Sequence, residues 1–173
     1  ASTGAGAIVV SVPIIILCAV LVPPPLAAGG GEIPDGPDAG TVIIPEGHVW
    51  SFFRGTAEPA EGWSGPGFDD ATWEKGPTGI GYGDGDDATV LSGMEGAFTT
   101  VYVRRAFQVP EPAAWEKLIF RLLVDDGCVV YLDGKEVGRI RAGEPGVRLP
   151  FDAVATGVAP EPLPIEDIAI AIG

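Results

Sequence analysis

Hydrophobic residues in this chain come in short runs broken by Pro, Gly or paired acids. The clearest lie between positions 99 and 140. Residues 99–109 alternate as a strand and stop at Pro110, and 117–124 (KLIFRLLV) read as a strong strand. Residues 128–132 and 135–140 flank Asp133-Gly134, a pair that closes two-residue hairpins because both positions tolerate positive φ. Upstream, 41–44 and the aromatic stretch 49–54 (VWSFFR) are strands, 55–67 are loop, and 68–73 form a compact turn anchored by Phe68 and Trp73. Residues 75–87 (KGPTGIGYGDGDD) read as one long glycine-rich loop, and 112–116 as a single helical turn. Residues 151–158 and 165–172 are weaker strands, the latter with Ile168, Ile170 and Ile172 in strict alternation. Many short strands without a helical period predict an all-β chain, an antiparallel β-sandwich.

One run breaks the pattern. Residues 7–22 (AIVVSVPIIILCAVLV) carry no charge, and nine of the sixteen are β-branched. Three readings stay open. A transmembrane helix needs about 20 apolar residues, which the run reaches only by borrowing neighbours. A signal peptide fits the length of the apolar core but has no basic leader. A buried strand suits the β-branched content, with Pro13 at an edge or a break. On this reading residues 1–27 are a hydrophobic segment (membrane helix or donated strand), 28–40 a Gly/Pro/Asp linker, and 41–173 the β-sandwich domain.

With 173 residues there is room for one domain and a short appendage, and 26 Gly and 17 Pro fit a turn-rich fold. A formal charge of −14 excludes nucleic acid as a partner, since phosphates are gripped by clustered Lys and Arg. Cys18 and Cys128 make no metal-ligand spacing and are expected to be free. The chain has no asparagine, hence no N-glycosylation acceptor.

The order of motifs, W…FDDATWEKGPTGIGYGDGDD, TTVYVRRAFQVP and LIFRLLVDDGCVVYLDGKEVGR, resembles the galactose-binding-like jelly-roll domains. These occur in bacterial surface proteins and as the sugar-binding domain of family-two glycoside hydrolases. The likeness spans residues 50–141 and implies an antiparallel jelly roll of about eight strands, working as an accessory module outside the cytoplasm. Asp133 stands where such domains carry Asn before the turn glycine. They also end in a strand after Gly-x-Asn, a pair this chain lacks. Either that strand was lost, or 165–172 replaces it, or another strand fills the gap, the N-terminal run of this subunit or a neighbour being the candidate.

Candidate chemistry is sparse. Trp63, between Gly62 and Ser64, and Tyr82, in the glycine loop, are the candidates for stacking on a sugar, whereas Trp50 and Trp73 read as core. Asp84, Asp86 and Asp87 could supply oxygens to a structural calcium, the one cofactor the chain would admit, or simply form a solvated turn. Asp69-Asp70 and Asp125-Asp126 read as turn and cap residues. Ser64 has Pro66 where a nucleophile elbow needs Gly, 79–83 complete no dinucleotide fingerprint, and His48 has no evident partner. No catalytic residue is assigned, and no enzyme is expected. The expectation is an extracytoplasmic structural or assembly subunit, tethered by residues 7–22 to a membrane complex or to a neighbouring subunit, which could be a copy of itself. The alternative is a surface glycan- or ligand-binding module.

Overall fold

The computed structural model describes residues 4–11, 15–22, 41–83, 85–109 and 115–171, the first two stretches by backbone alone. These residues form strands and turns, with no helix among them. Twelve strands are present: β1 (Gly4–Ser11), β2 (Ile15–Val22), β3 (Thr41–Ile44), β4 (Val49–Arg54), β5 (Glu74–Pro77), β6 (Ile80–Gly81), β7 (Thr89–Val90), β8 (Val101–Val109), β9 (Lys117–Val124), β10 (Cys128–Leu132), β11 (Lys135–Ile140) and β12 (Ile165–Ala171). They make two sheets. The first runs β11-β10-β1-β8-β4-β5 and the second β12-β9-β2-β6-β7, with β3 also paired to β2. All pairings are antiparallel except β6 with β7.

The N-terminal run is therefore two strands and not a helix. β1 lies between β10 and β8, and β2 pairs β9 on one side and β6 and β3 on the other. Strands covered on both faces read as unbroken apolar runs, and β-branched residues fit the pleat, so the composition that suggested a membrane span also suits two central strands. The boundary expected at residue 27 lies outside the described residues. No helix of the described residues is long and apolar enough to cross a membrane.

One buried cluster joins the sheets. β4, β8 and β10 give Trp50, Phe52, Val103, Phe107 and Val130, and β3, β6 and β9 give Ile44, Ile80, Leu118, Phe120, Leu122 and Val124. In β9 the even positions are buried and the odd ones are not, which is period-two alternation expressed as burial. Asp133 (φ 50°) and Gly134 (φ 80°) close the β10–β11 hairpin with both φ positive, as that turn requires. β12 forms an edge of the second sheet, pairing along β9 from Ile165 to Ala171.

Two expectations change, and a third is not met by the described residues. Residues 151–158 are turn and coil, held by loop contacts such as Thr156 N–H to Arg141 O, 2.8 Å. The stretch 75–87 contains most of β5 and all of β6. The helical turn at 112–116 falls largely outside the described residues.

The flanks of the two sheets meet through glycines. A Cβ on Gly76 (β5) would lie 2.3 Å from Thr89 Oγ1 (β7), which itself donates to Pro77 O at 2.7 Å. On the opposite flank a Cβ on Gly138 (β11) would lie 2.7 Å from Ile168 Cγ2 (β12). Gly138→Ala should cost about 1–3 kcal/mol through overpacking. In urea unfolding, Gly138→Ala combined with Ile168→Ala should be less destabilised than the sum of the single variants, and strict additivity would show that the contact carries no energy.

Candidate ligand-binding clefts

Among the described residues, clefts open at two places that differ in size and lining. The larger, about 630 Å³, lies where β4, β6 and β9 leave the sheets and β8 and β10 enter. Its walls are Gly55 and Thr56 after β4, Tyr82 after β6, Met94 and 96–99 before β8, Asp125 and Asp126 between β9 and β10, and Phe151, Asp152, Val154 and Ala155. Short connections from a packed scaffold are where binding groups are usually carried.

These loops are tied to one another. Gly55 N–H donates to Thr100 O at 2.8 Å, and Thr100 Oγ1 donates to Phe151 O. A Cβ on Gly55 would overlap Thr100 Oγ1, so this close approach needs glycine. Arg141 fixes the Asp125-Asp126 turn by donating to Val124 O (2.9 Å) and Asp126 O. It is itself held by two bonds to Glu166, which raise the affinity of its guanidinium for the proton. Asp126 Oδ1 accepts from Ala159 N–H at 2.8 Å, so one of its oxygens is a loop cap. The lining residues include three carboxylates and no Lys, Arg or His. Such a wall suits hydroxyl or N–H donors and repels anions.

The smaller cleft, about 310 Å³, opens on the outer face of the first sheet. Loop 55–73 roofs that face. Trp63, Trp73 and Tyr102 are buried there, with Phe53, Phe68, Tyr131 and Phe151 packed against them. Arg104 of β8 pins the roof. Only 3% exposed, it donates to Gly65 O (2.9 Å), Phe68 O (3.0 Å) and Asp70 Oδ2 (2.6 Å), and lies over the Phe68 ring. Asp69 Oδ1 accepts from Ala71 N–H, so the paired acids at 69–70 are turn and anchor groups.

Trp63 belongs to this roof and lines the smaller cleft. It is 7% exposed, with rings at 4.8 Å (Tyr102), 5.6 Å (Tyr131) and 6.5 Å (Trp73), and is no exposed stacking platform. Tyr82 is 36% exposed and lines the other cleft. The two residues expected to share a site are thus separated. Asp84 lies outside the described residues, and Asp86 and Asp87 line neither cleft. Among the described residues no group of three His, Cys, Asp or Glu could hold a metal ion. Arg104, Arg141 and Glu136 were not singled out from the sequence, because nothing local distinguishes an arginine that organises a loop from one in solvent.

Around the smaller cleft, Glu136 is bonded through both oxygens to Arg139 (2.7 and 2.6 Å) and takes Gly146 N–H at 3.2 Å. The Arg139 guanidinium holds its carboxyl below the usual range. Glu58 joins Arg148 (3.0 Å) and Phe151 N–H (2.8 Å) at the rim. Cys128 is free and fully buried, and burial pushes its thiol up to about 12, so it is no thiolate at neutral pH. Comparison with protein-family models, with curated proteins and with solved structures finds no match.

Arg104→Ala should cost about 3 kcal/mol by stranding Asp70 and two carbonyls, and should expose loop 55–73 to limited proteolysis. A loop as resistant as in the wild type would refute the anchor. Because the Glu136 carboxyl is depressed in the fold, its contribution is complete above its ordinary value of 4.5 and fades as pH falls through the lower folded value. Glu136→Gln should lower stability at pH 7 by about 1–2 kcal/mol, and the difference should shrink as the medium is acidified below that value. A gap that stays constant with pH, followed by thermal melts, would contradict this.

Proposed function

We propose that this chain is a non-catalytic binding module, a β-sandwich of the galactose-binding-like jelly-roll type, that takes a neutral glycan in the end cleft. The observation that carries this reading is the cleft itself. It is built from five separate connections, carries the part-exposed ring of Tyr82 on one wall, and is lined by Asp125, Asp126 and Asp152. An aromatic ring takes the apolar face of a sugar, and carboxylates accept hydrogen bonds from its hydroxyls. The motif order across 50–141 and two sheets sharing one core support the same class of module.

A tether through residues 7–22 now has less in its favour. It rested on an apolar run without a place and on a missing last strand. Here β1 and β2 pair within the chain's own sheets, and β12 forms an edge of the second one. Catalysis has little support, since one oxygen of Asp126 is committed to a backbone N–H and the lining residues include no histidine or cysteine. Work at a cell surface or in the periplasm follows from the resemblance and is part of the proposal.

A glycan array followed by calorimetry tests it. At least one neutral glycan should bind, and Tyr82→Ala should weaken it about tenfold, the scale of one lost ring contact. Absence of any glycan binding, or a Tyr82→Ala variant that binds as well as the wild type, would remove the reading.

A further inference from the structure

The two clefts share walls. Gly55 and Thr56 line the larger and Glu58 the smaller, while Arg148 and Leu149 line the smaller and Phe151 and Asp152 the larger. On each segment a single residue stands between the two linings, Ala57 on one and Pro150 on the other, and both are exposed. Residues two apart along a chain lie within about 7 Å of each other. Glu58 Oε1 accepts from Phe151 N–H at 2.8 Å, so the two segments lie side by side where they pass from one cleft to the other. Phe151 also packs against the aromatic cluster beneath the roof, which belongs to the smaller cleft's side of the fold.

We propose that the two clefts are one binding path and that the glycan is a linear oligosaccharide, which sits in the end cleft and runs on past Ala57 and Pro150 into the smaller one. This rests on the end-cleft reading above and extends it to the length of the ligand. The chemistry of the smaller cleft complements that of the larger. Its carboxylates are spent, since both oxygens of Glu136 bond Arg139 and those of Glu58 bond Phe151 N–H and Arg148. What it offers is donors. The Arg148 side chain is 63% exposed and gives Nη2 to Glu58, and neither its Nε nor its Nη1 has an acceptor among the described residues. The hydroxyl-bearing side chains of Ser64 and Tyr131 line the same cleft. The end cleft is lined by acceptors and this one by donors, and sugar hydroxyls serve both because each can donate and accept. Glu58 is balanced by Arg148 and Glu136 by Arg139, so an uncharged unit meets no net charge. Trp63, Val129 and Leu149 supply apolar surface for the C–H face of a ring. At about 310 Å³ the smaller cleft falls at the lower end of small-ligand sites and fits an extension of the first.

Calorimetry of the full chain with neutral oligomers of glucose, galactose and mannose, from one unit to six, tests the path. In the series that binds, a tetrasaccharide should bind at least about tenfold more tightly than the disaccharide, because the second contact is made within one complex. Arg148→Lys combined with Ser64→Ala should remove that gain, with the disaccharide affinity and the melting temperature unchanged. The lysine keeps the charge beside Glu58 and loses the fork of donors. Tyr82→Ala should weaken both lengths alike. An affinity that does not rise with length, or a gain that survives the double variant, would overturn the path and leave the end cleft as a site on its own. Failure of every length to bind would remove both readings.

Discussion

A strand that is apolar on both sides forces its sheet to be covered twice, and this chain has one such strand near the middle of each sheet. On the inner side both demands are met together, by the cluster that runs from Trp50 and Phe52 to Phe120 and Leu122. At about 25 cal/mol per Å² of apolar surface removed from water, side chains of this size dominate the stability of the fold. The outer sides are met separately. The first sheet carries a roof made from the chain's own loop, and in the second the alternation of β9 leaves Lys117, Ile119, Arg121 and Leu123 on the outer side.

Arg104 shows how the roof is held. Its guanidinium is buried against Phe68, and three acceptors from one loop converge on it. A buried cation is tolerable only when it is paired and hydrogen-bonded; Nη1 and Nη2 of Arg104 are spent on these oxygens, while its buried Nε has no acceptor, so the two Nη groups dictate where 65–70 must lie. That placement draws Trp63 beneath the loop, into the aromatic cluster. The same principle recurs at Arg141, whose donors fix the turn carrying Asp125 and Asp126. Rigid turns of this kind let a cleft keep its shape without a ligand.

Much of the fold was legible locally. Residues 49–54, 101–109 and 117–124 carry alternation or aromatic content, and Asp133-Gly134 carries the two positive φ angles of a tight hairpin. Residues 151–158 misled, because their apolar content serves loop contacts and a cleft wall and forms no ladder. β5 and β6 were missed in a glycine-rich stretch, since Gly76 is there to admit Thr89 from the other sheet, which no local pattern reports. The candidate site was only half legible. Tyr82 lines one cleft, but Trp63 is turned inward to line the other by its own loop, whose anchor Arg104 lies 34 residues from Asp70.

The sequence by itself determined the all-β class, most of the strands, and the acidic net charge, because alternation, turn chemistry and net charge are properties of neighbouring residues or of their sum. Tertiary structure alone decided the fate of the apolar run, the separation of Trp63 from Tyr82, and the gathering of three carboxylates at one end of the sheets. An apolar run has the same composition in lipid, in a core or under a partner, and only pairing with β8, β9 and β10 distinguishes them.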